Sequence, residues 1–102
     1  MKNVLANAFS IQMLEDNSEV SFTKVNSADI PKDIMSAIGH QDTATVLSSI
    51  LGVDIPMNRV SVRLDEETVL YVAQLTGGRL PEGITTLPKG FNFVFWKVEL
   101  KK

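Results

Sequence analysis

The chain has no cysteine and a single histidine, His40, in its 102 residues. The lack of cysteine excludes disulfide scaffolds, thiolate metal sites and cysteine nucleophiles. A single histidine excludes a zinc site built from several histidines of one chain. The consecutive carboxylates Asp65, Glu66 and Glu67 are the remaining metal-ligand candidates, but carboxylates in a turn are usually solvated. We therefore expect no metal site.

Long apolar runs and cofactor motifs are also missing. No run approaches the ~18 consecutive apolar residues of a membrane span, and the first residues lack the apolar segment of a signal peptide. These absences predict a cytoplasmic protein that does not enter a membrane. The sequence contains no P-loop, dinucleotide fingerprint, nucleophile elbow or helix-turn-helix pattern, so we expect no bound cofactor.

A strong charge of either sign is absent as well. The formal net charge is −2, and the arginines are Arg59, Arg63 and Arg79. Proteins that bind duplex DNA draw affinity from many phosphate contacts by lysine and arginine, so a duplex-DNA partner is not expected. A small phosphate ligand needs only a few cations in one pocket, and that class of ligand remains open.

What the sequence does contain is enough apolar material for one domain over residues 1–102. Apolar residues make up 44% and charged residues 22%, which is typical of a globular protein. The order of strands and helices along the chain predicts an α/β or α+β domain in which a mixed sheet of about five strands is flanked by α-helices. The predicted elements are strands over 3–6, 20–25, 60–64, 68–75 and 91–100, helices over 27–36 and about 42–51, and turns at 16–18 and 65–67. Strand 20–25 is expected to pair with strand 3–6, and strand 60–64 to form a hairpin with strand 68–75. Strand 68–75 is apolar enough to be a central strand that is covered on both faces.

His40 belongs to the residue type whose charge changes near neutral pH. A lone histidine is more often a surface or core residue than a catalyst, so the position of His40 must distinguish between a catalytic and a non-catalytic residue. Gly39 before it lets a ligand approach the backbone closely. A helix opening near Asp42 or Thr43, which are both N-cap candidates, would offer its free N–H groups to an anion. A proton donor beside an anion site is the arrangement needed to cleave a phosphodiester.

A second candidate lies in the glycine-rich segment 76–83, which is the most loop-like part of the chain. It carries Arg79 and Glu82, and binding residues are disproportionately found in such loops. The alternative is a solvated arginine with an unimportant carboxylate three residues further on.

Three polar residues outside this loop are ambiguous. Asn7 and Ser10 follow the first predicted strand, where small polar residues commonly cap a turn, and Ser10 is positioned to cap one that runs to Leu14. Arg59 is either a ligand contact or a charged residue at the start of an edge strand.

Four separated blocks of the chain carry a further signal. They are Leu5-Ala6-Asn7-Ala8-Phe9-Ser10-Ile11 with Met13-Leu14, Ser36-Ala37-Ile38-Gly39-His40, Asn58-Arg59-Val60, and Gln74 with Arg79-Leu80-Pro81-Glu82-Gly83. Together, and in this order, they resemble the viral ring nuclease family, the type III CRISPR antagonists of archaeal viruses. The resemblance covers nearly the whole chain, which makes it more specific than any single block.

The resemblance implies a function and an assembly. Members of that family cleave cyclic tetra-adenylate, the ring-shaped messenger of type III CRISPR defence, without a metal ion. They act as two-fold symmetric homodimers that bind the ring in a pocket between the subunits. By this resemblance the protein is an anti-CRISPR nuclease with cyclic tetra-adenylate as its ligand and a second copy of itself as its partner. If it is viral, it would act in the cytoplasm of the host cell.

The resemblance also implies roles for individual residues. The ribose 2′-hydroxyl of the substrate would attack the adjacent phosphorus and leave linear di-adenylates that end in a 2′,3′-cyclic phosphate. His40 matches the catalytic histidine, which protonates the departing 5′-oxygen. Arg79 and Glu82 match a pair of loop residues that contact phosphate and position groups around the 2′-hydroxyl. The matched ligand-lining positions are Asn7, Ser10, Arg59 and Gln74, and the open backbone of Gly39 joins them.

The sequence departs from the family at one point, and the predicted site also suits functions other than cleavage. The spacer Leu75–Gly78 is one residue longer than in archaeal viral members, which alters the separation of Gln74 from Arg79. The same pocket would also suit a protein that sequesters a cyclic nucleotide, or senses one in a regulatory circuit, without cutting it. A DNA-binding regulator would need a basic face that this composition does not supply.

Overall fold

The computed structural model describes residues 2–14 and 18–101, and it contains a five-stranded mixed sheet. The elements are β1 Lys2–Ala6, β2 Val20–Val25, β3 Met35–Ser36, α1 Gln41–Leu51, β4 Thr68–Thr76 and β5 Asn92–Leu100, with 3-10 turns at Ile11–Met13 and Ser27–Asp29. The spatial order of the strands is β2-β5-β4-β1-β3. β1 is parallel to β3 and β4, whereas β5 is antiparallel to β4 and β2. The predicted α+β domain with a mixed sheet of five strands is confirmed.

β4 lies at the centre of the sheet because its sequence supplies apolar side chains to both faces. Residues 68–73 are all buried, as expected for a strand that is covered on both sides. Val69 and Tyr71 belong to the apolar cluster that includes α1, whereas Leu70 and Val72 belong to a second cluster on the opposite face. The prediction of a central strand here is confirmed.

The two faces of the sheet are covered in different ways. On one face, α1 buries Ala44, Val46, Leu47 and Leu51 against the sheet, and it ends at Gly52 in the left-handed conformation that is common for glycine at the end of a helix. On the other face, segments without a helix supply the cover. Met13 and Leu64 meet there, and the Leu64 N–H donates to the Met13 carbonyl at 2.8 Å.

The predicted helix over 27–36 is wrong. Only the 3-10 turn at Ser27–Asp29 forms, and Ile30 after it is extended with ψ 124°. The reason lies in Pro31, because a proline disfavours the helical conformation in the residue before it. The end of the segment pairs instead with β1 as β3.

The predicted strand over 60–64 is also wrong. These residues do not join the sheet, and the alternation of Val62 and Leu64 arises because the segment crosses the face of the sheet and packs on the second cluster. The turn at 65–67 therefore leads into β4 but closes no hairpin. The predicted number of strands is right only because β3 takes the place of this one.

β2 pairs with β5 along its whole length, from Val20 opposite Leu100 to Val25 opposite Phe95. The expected pairing of β2 with β1 is wrong, since both sides of β1 are occupied by β3 and β4. Of the turn predicted at 16–18, Asp16 and Asn17 lie outside the described residues.

Candidate functional site

Three parallel strands, β1, β3 and β4, end at the same edge of the sheet. In sheets with parallel strands, ligands commonly bind just beyond the carboxyl ends. Asn7 follows β1, His40 follows β3 at a short distance, and the loop with Arg79 and Glu82 follows β4. The topology thus gathers residues from three distant parts of the sequence at one edge.

These residues line a single cleft of about 490 Å³, which we call the polar cleft. Its lining residues are Asn7, His40, Asp42, Thr43, Leu75, Arg79, Leu80 and Glu82. The three residues predicted to be catalytic, His40, Arg79 and Glu82, therefore lie in one cleft together with one of the predicted ligand contacts, Asn7.

His40 is the N-cap residue of α1, with extended backbone angles of φ −137° and ψ 127°. Its backbone carbonyl accepts from the Ala44 N–H at 3.0 Å, while its exposed imidazole makes no capping hydrogen bond. The prediction that Asp42 or Thr43 caps the helix is wrong, because both lie in its first turn. His40 therefore directly precedes the first N–H groups of α1, which lack partners within the helix and form its positive end.

Hydrogen bonds fix the segment that precedes His40 and leads into α1. The Ser36 hydroxyl donates to the Pro56 carbonyl at 2.6 Å, and the Asn58 amide donates to the Ser36 carbonyl at 2.7 Å. The backbone N–H of Asn58 donates to the Ile38 carbonyl at 2.8 Å. The chain that enters α1 is thus bonded to a segment twenty residues downstream, which restricts the position of His40.

Arg59 and Gly39 contact each other beside the polar cleft. The Arg59 guanidinium donates to the Gly39 carbonyl from Nη2 at 3.1 Å and from Nε at 3.4 Å. Neither residue lines the cleft, although Gly39 directly precedes His40. The structure therefore brings two of the predicted ligand contacts together outside the cleft and places a cation against the residue before the histidine.

Gln74 and Ser10 are placed elsewhere. Gln74 lines a neighbouring cavity of about 430 Å³, which we call the aromatic recess. The recess is lined by Asn7, Ala8, Phe9, Phe22, Val72, Gln74, Trp96 and Val98, so Asn7 borders both cavities. Ser10 lines neither. Its hydroxyl accepts from the Gln12 N–H at 3.3 Å and caps the 3-10 turn that ends at Leu14, as predicted for a capping residue.

The loop that carries Arg79 and Glu82 begins at a fixed point. Gly77 has φ +106°, and a Cβ there would collide with the carbonyl oxygen of Gly90. Only glycine fits this close approach of two backbones. Both Arg79 and Glu82 are exposed, and within residues 2–14 and 18–101 they form no ion pair with each other. Their side chains are therefore not neutralised by mutual contact.

Asp42 connects the far end of this loop to α1. The Gly83 N–H donates to the Asp42 carboxylate at 3.2 Å. Asp42 was expected only as a helix cap, and its place in the polar cleft was not predicted. Its position two residues after His40 was a possible signal, but its partner is 41 residues away. No sequence pattern reports a contact of that kind.

The chemistry available in the polar cleft follows from these groups. An imidazole that is free of capping contacts can exchange a proton, a guanidinium can bind an anion, and a carboxylate can accept from a hydroxyl. In the part of the chain that the structure describes, no group of three or more histidine, cysteine, aspartate or glutamate residues is arranged to hold a metal ion. The arrangement suits binding of a phosphate ester and proton transfer to or from it.

Comparison with protein families agrees with this architecture. A model of the STIV B116-like family matches residues 3–92, so the chain belongs to the STIV B116-like family, a family of small viral proteins. The matched range includes every residue of the polar cleft.

Two relatives come from archaeal viruses. The structure of B116 of Sulfolobus turreted icosahedral virus is similar, with a TM-score of 0.80 and 25% identity over 97% of this chain and 99% of that chain. Uncharacterized protein 26 of Sulfolobus islandicus filamentous virus (isolate Iceland/Hveragerdi) is 32% identical over 69 residues, or 63% of this chain. The chain spans 58% of the length of that relative.

α1 has 11 residues, and none of the helices in residues 2–14 and 18–101 combines the length and apolar character needed to cross a bilayer.

Proposed function

We propose that this protein is a metal-independent ring nuclease that cleaves cyclic tetra-adenylate and thereby antagonises type III CRISPR signalling. The observation that carries the proposal is the meeting of His40, Arg79 and Glu82 in one cleft at the carboxyl edge of β1, β3 and β4. The sequence resemblance assigns an acid, a phosphate contact and a positioning carboxylate to these residues.

In this mechanism the ribose 2′-hydroxyl of the substrate attacks the adjacent phosphorus. The bond between phosphorus and the 2′-oxygen forms while the bond to the 5′-oxygen breaks, and the 2′-hydroxyl proton passes to solvent water. Glu82 orients the 2′-hydroxyl, and protonated His40 donates a proton to the departing 5′-oxygen. General acid catalysis of this kind contributes ~10²–10⁴ in rate. The product is a linear di-adenylate that ends in a 2′,3′-cyclic phosphate.

Arg79 contributes charge in the same site. Its guanidinium is exposed and faces the cleft that His40 and Glu82 also line. A guanidinium binds phosphate oxygens through charge-assisted hydrogen bonds, which are about twice as strong as neutral ones. The free N–H groups at the start of α1 add partial positive charge close to the histidine, which is the N-cap residue. Both features favour a phosphodiester held against His40.

The size of the cleft supports a homodimer. Cavities of ~300–1,000 Å³ suit drug-sized ligands, and a ring of four nucleotides is larger than such a ligand. A cleft of about 490 Å³ therefore suits part of the ring. Two copies related by a two-fold axis would present the same groups to opposite phosphates of a four-fold repeating ligand. Each ring would then be cut twice, giving two di-adenylates.

The test is incubation of the protein with cyclic tetra-adenylate, with and without a chelator such as EDTA, followed by chromatography and mass spectrometry of the products. We expect di-adenylate with a 2′,3′-cyclic phosphate, at the same rate with and without chelator. An intact ring that co-elutes with excess protein would reject the nuclease and favour a sequestering protein. Loss of cleavage in EDTA would reject the metal-independent mechanism.

A further inference from the structure

The loop from Gly77 to Gly83 is attached to the rest of the molecule at both ends. Its first residue packs against the Gly90 backbone, in contact too close for any other residue. Its last residue donates its N–H to the Asp42 carboxylate at 3.2 Å. Arg79 and Glu82 lie between these two points. Their position over the polar cleft therefore depends on an attachment that Asp42 supplies.

The location of Asp42 makes this attachment relevant to His40. Asp42 is half-buried in the first turn of α1, two residues after the histidine. A carboxylate is favourable at that end of a helix, and hydrogen bonds to ionised acceptors are among the stronger ones in proteins. Since Glu82 directly precedes Gly83, the bond limits how far Glu82 can move from the imidazole.

We propose that Asp42 is a positioning residue, which holds the loop so that Arg79 and Glu82 face His40. This inference rests on the proposed function, because it concerns the geometry of the ring-cleaving groups. Asp42 acts through its bond to Gly83 and not on the substrate. Misplacement of reacting groups by about 1 Å can cost ~10² in rate, so loss of the bond would lower activity with all three site residues still present.

A purely structural alternative makes a different prediction. If Asp42 served only to stabilise the start of α1, its removal would lower the melting temperature and leave the loop unchanged. Asparagine separates charge from bonding, because its side-chain carbonyl still accepts from the Gly83 N–H. Asp42→Asn should therefore keep the loop in place, whereas Asp42→Ala should release it.

The first measurement uses the free protein without nucleotide. The exchange rate of the Gly83 backbone amide is measured by NMR for the wild type, Asp42→Ala and Asp42→Asn. Asp54→Ala is the matched control, since it removes an exposed carboxylate just beyond the other end of α1. We expect exchange about tenfold faster in Asp42→Ala, in line with the loss of one hydrogen bond, and near wild-type exchange in the other two. Wild-type exchange in Asp42→Ala would overturn the proposal.

The second measurement is cleavage of cyclic tetra-adenylate by the same variants. We expect kcat of Asp42→Ala to fall by ~10–100-fold and Asp42→Asn to recover most of it. An Asp42→Asn variant that keeps Gly83 protected but is as slow as Asp42→Ala would also overturn the proposal. If the wild type leaves the ring intact, the proposed function fails, while amide exchange still decides whether Asp42 holds the loop.

Discussion

The polar cleft and the aromatic recess share Asn7, yet they differ in chemistry. Their volumes are similar, about 490 Å³ and about 430 Å³. The cleft is lined by His40, Asp42, Arg79 and Glu82, whereas the described residues that line the recess include no ionisable side chain. The size of a cavity is thus a poor guide to its function in this protein, and the supply of titratable groups distinguishes the two.

The difference arises from the parts of the chain that form the walls. The recess is walled by one face of β4 and β5, including Val72, Trp96 and Val98, and alternation along a strand makes such a face apolar. The cleft is walled mainly by segments beyond the strand ends. Loops beyond strand ends bury less surface than the strands do, so they tolerate charge.

Replacement of His40 should have the largest effect and sharpen the comparison most. We expect His40→Ala to lose ~10²–10⁴ in the rate of ring cleavage while binding of the ring largely survives, because a general acid acts mainly in the transition state. Single-turnover cleavage and calorimetric binding measure the two effects separately. Asp54→Ala serves as a control with wild-type behaviour, and cleavage at the normal rate by His40→Ala would show that the proton comes from elsewhere.

Arg79 should matter for both binding and rate. Arg79→Ala removes the cation that in the proposed mechanism contacts the substrate phosphate before and during the reaction, so we expect affinity to fall by ~10–100-fold, or about 1.5–3 kcal/mol. Titration of the ring into the variant measures this loss. Arg79→Lys keeps the charge without the planar fork and should recover part of it. Unchanged affinity in Arg79→Ala would place the phosphate in another part of the cleft.

Trp96 tests whether the aromatic recess is separate from the site. Trp96 is half-buried against the second apolar cluster, so Trp96→Ala should reduce the free energy of unfolding by about 2 kcal/mol. We expect cleavage per folded molecule to stay within about threefold of wild type. Denaturant unfolding and the cleavage assay at a temperature where the variant is folded measure the two quantities. A large loss of activity without loss of stability would make the recess part of the ligand site.

Asp65 provides the smallest effect, at the opposite edge of the sheet. Its carboxylate accepts from the Thr68 hydroxyl at 2.7 Å and from the Glu67 N–H at 3.0 Å, and these bonds lower the pKa of Asp65 below its ordinary value. The stabilisation is therefore present above the pKa that Asp65 has in the unfolded chain, and it is lost as pH falls through the lower pKa that Asp65 has in the folded protein.

We expect Asp65→Asn to reduce the acid dependence of stability slightly and to leave ring cleavage unchanged, because position 65 precedes β4 and the polar cleft lies beyond its end. Urea unfolding measured from neutral to acidic pH tests the first part. An unchanged pH dependence would mean that the two hydrogen bonds do not persist in solution.

The contrast between β4 and segment 60–64 shows which kinds of sequence pattern predict a strand correctly and which do not. A continuous apolar run identified β4 as a central strand, because a strand that is covered on both faces places apolar side chains on both of them. The alternation over 60–64 led to a wrong strand prediction, because any extended segment that crosses an apolar surface alternates in the same way. Likewise the apolar spacing over 27–36 indicated a helix, although Pro31 prevents helical structure in the residue before it.

The candidate site divides in a similar way. His40, Arg79 and Glu82 were identifiable by residue type, by neighbouring glycines and by family resemblance. The contact of Asp42 with Gly83 was not, since a carboxylate near the start of a helix has an ordinary explanation as a cap.

The sequence by itself determined which residue types are available for chemistry and which strand forms the centre of the sheet, because both depend on local composition and periodicity. Only the tertiary structure decided that the ends of β1, β3 and β4 bring Asn7, His40 and Arg79 into one cleft. It also decided the bond from Gly83 to Asp42. Strand order and contacts between segments 41 residues apart depend on how the whole chain packs, and no local pattern encodes them.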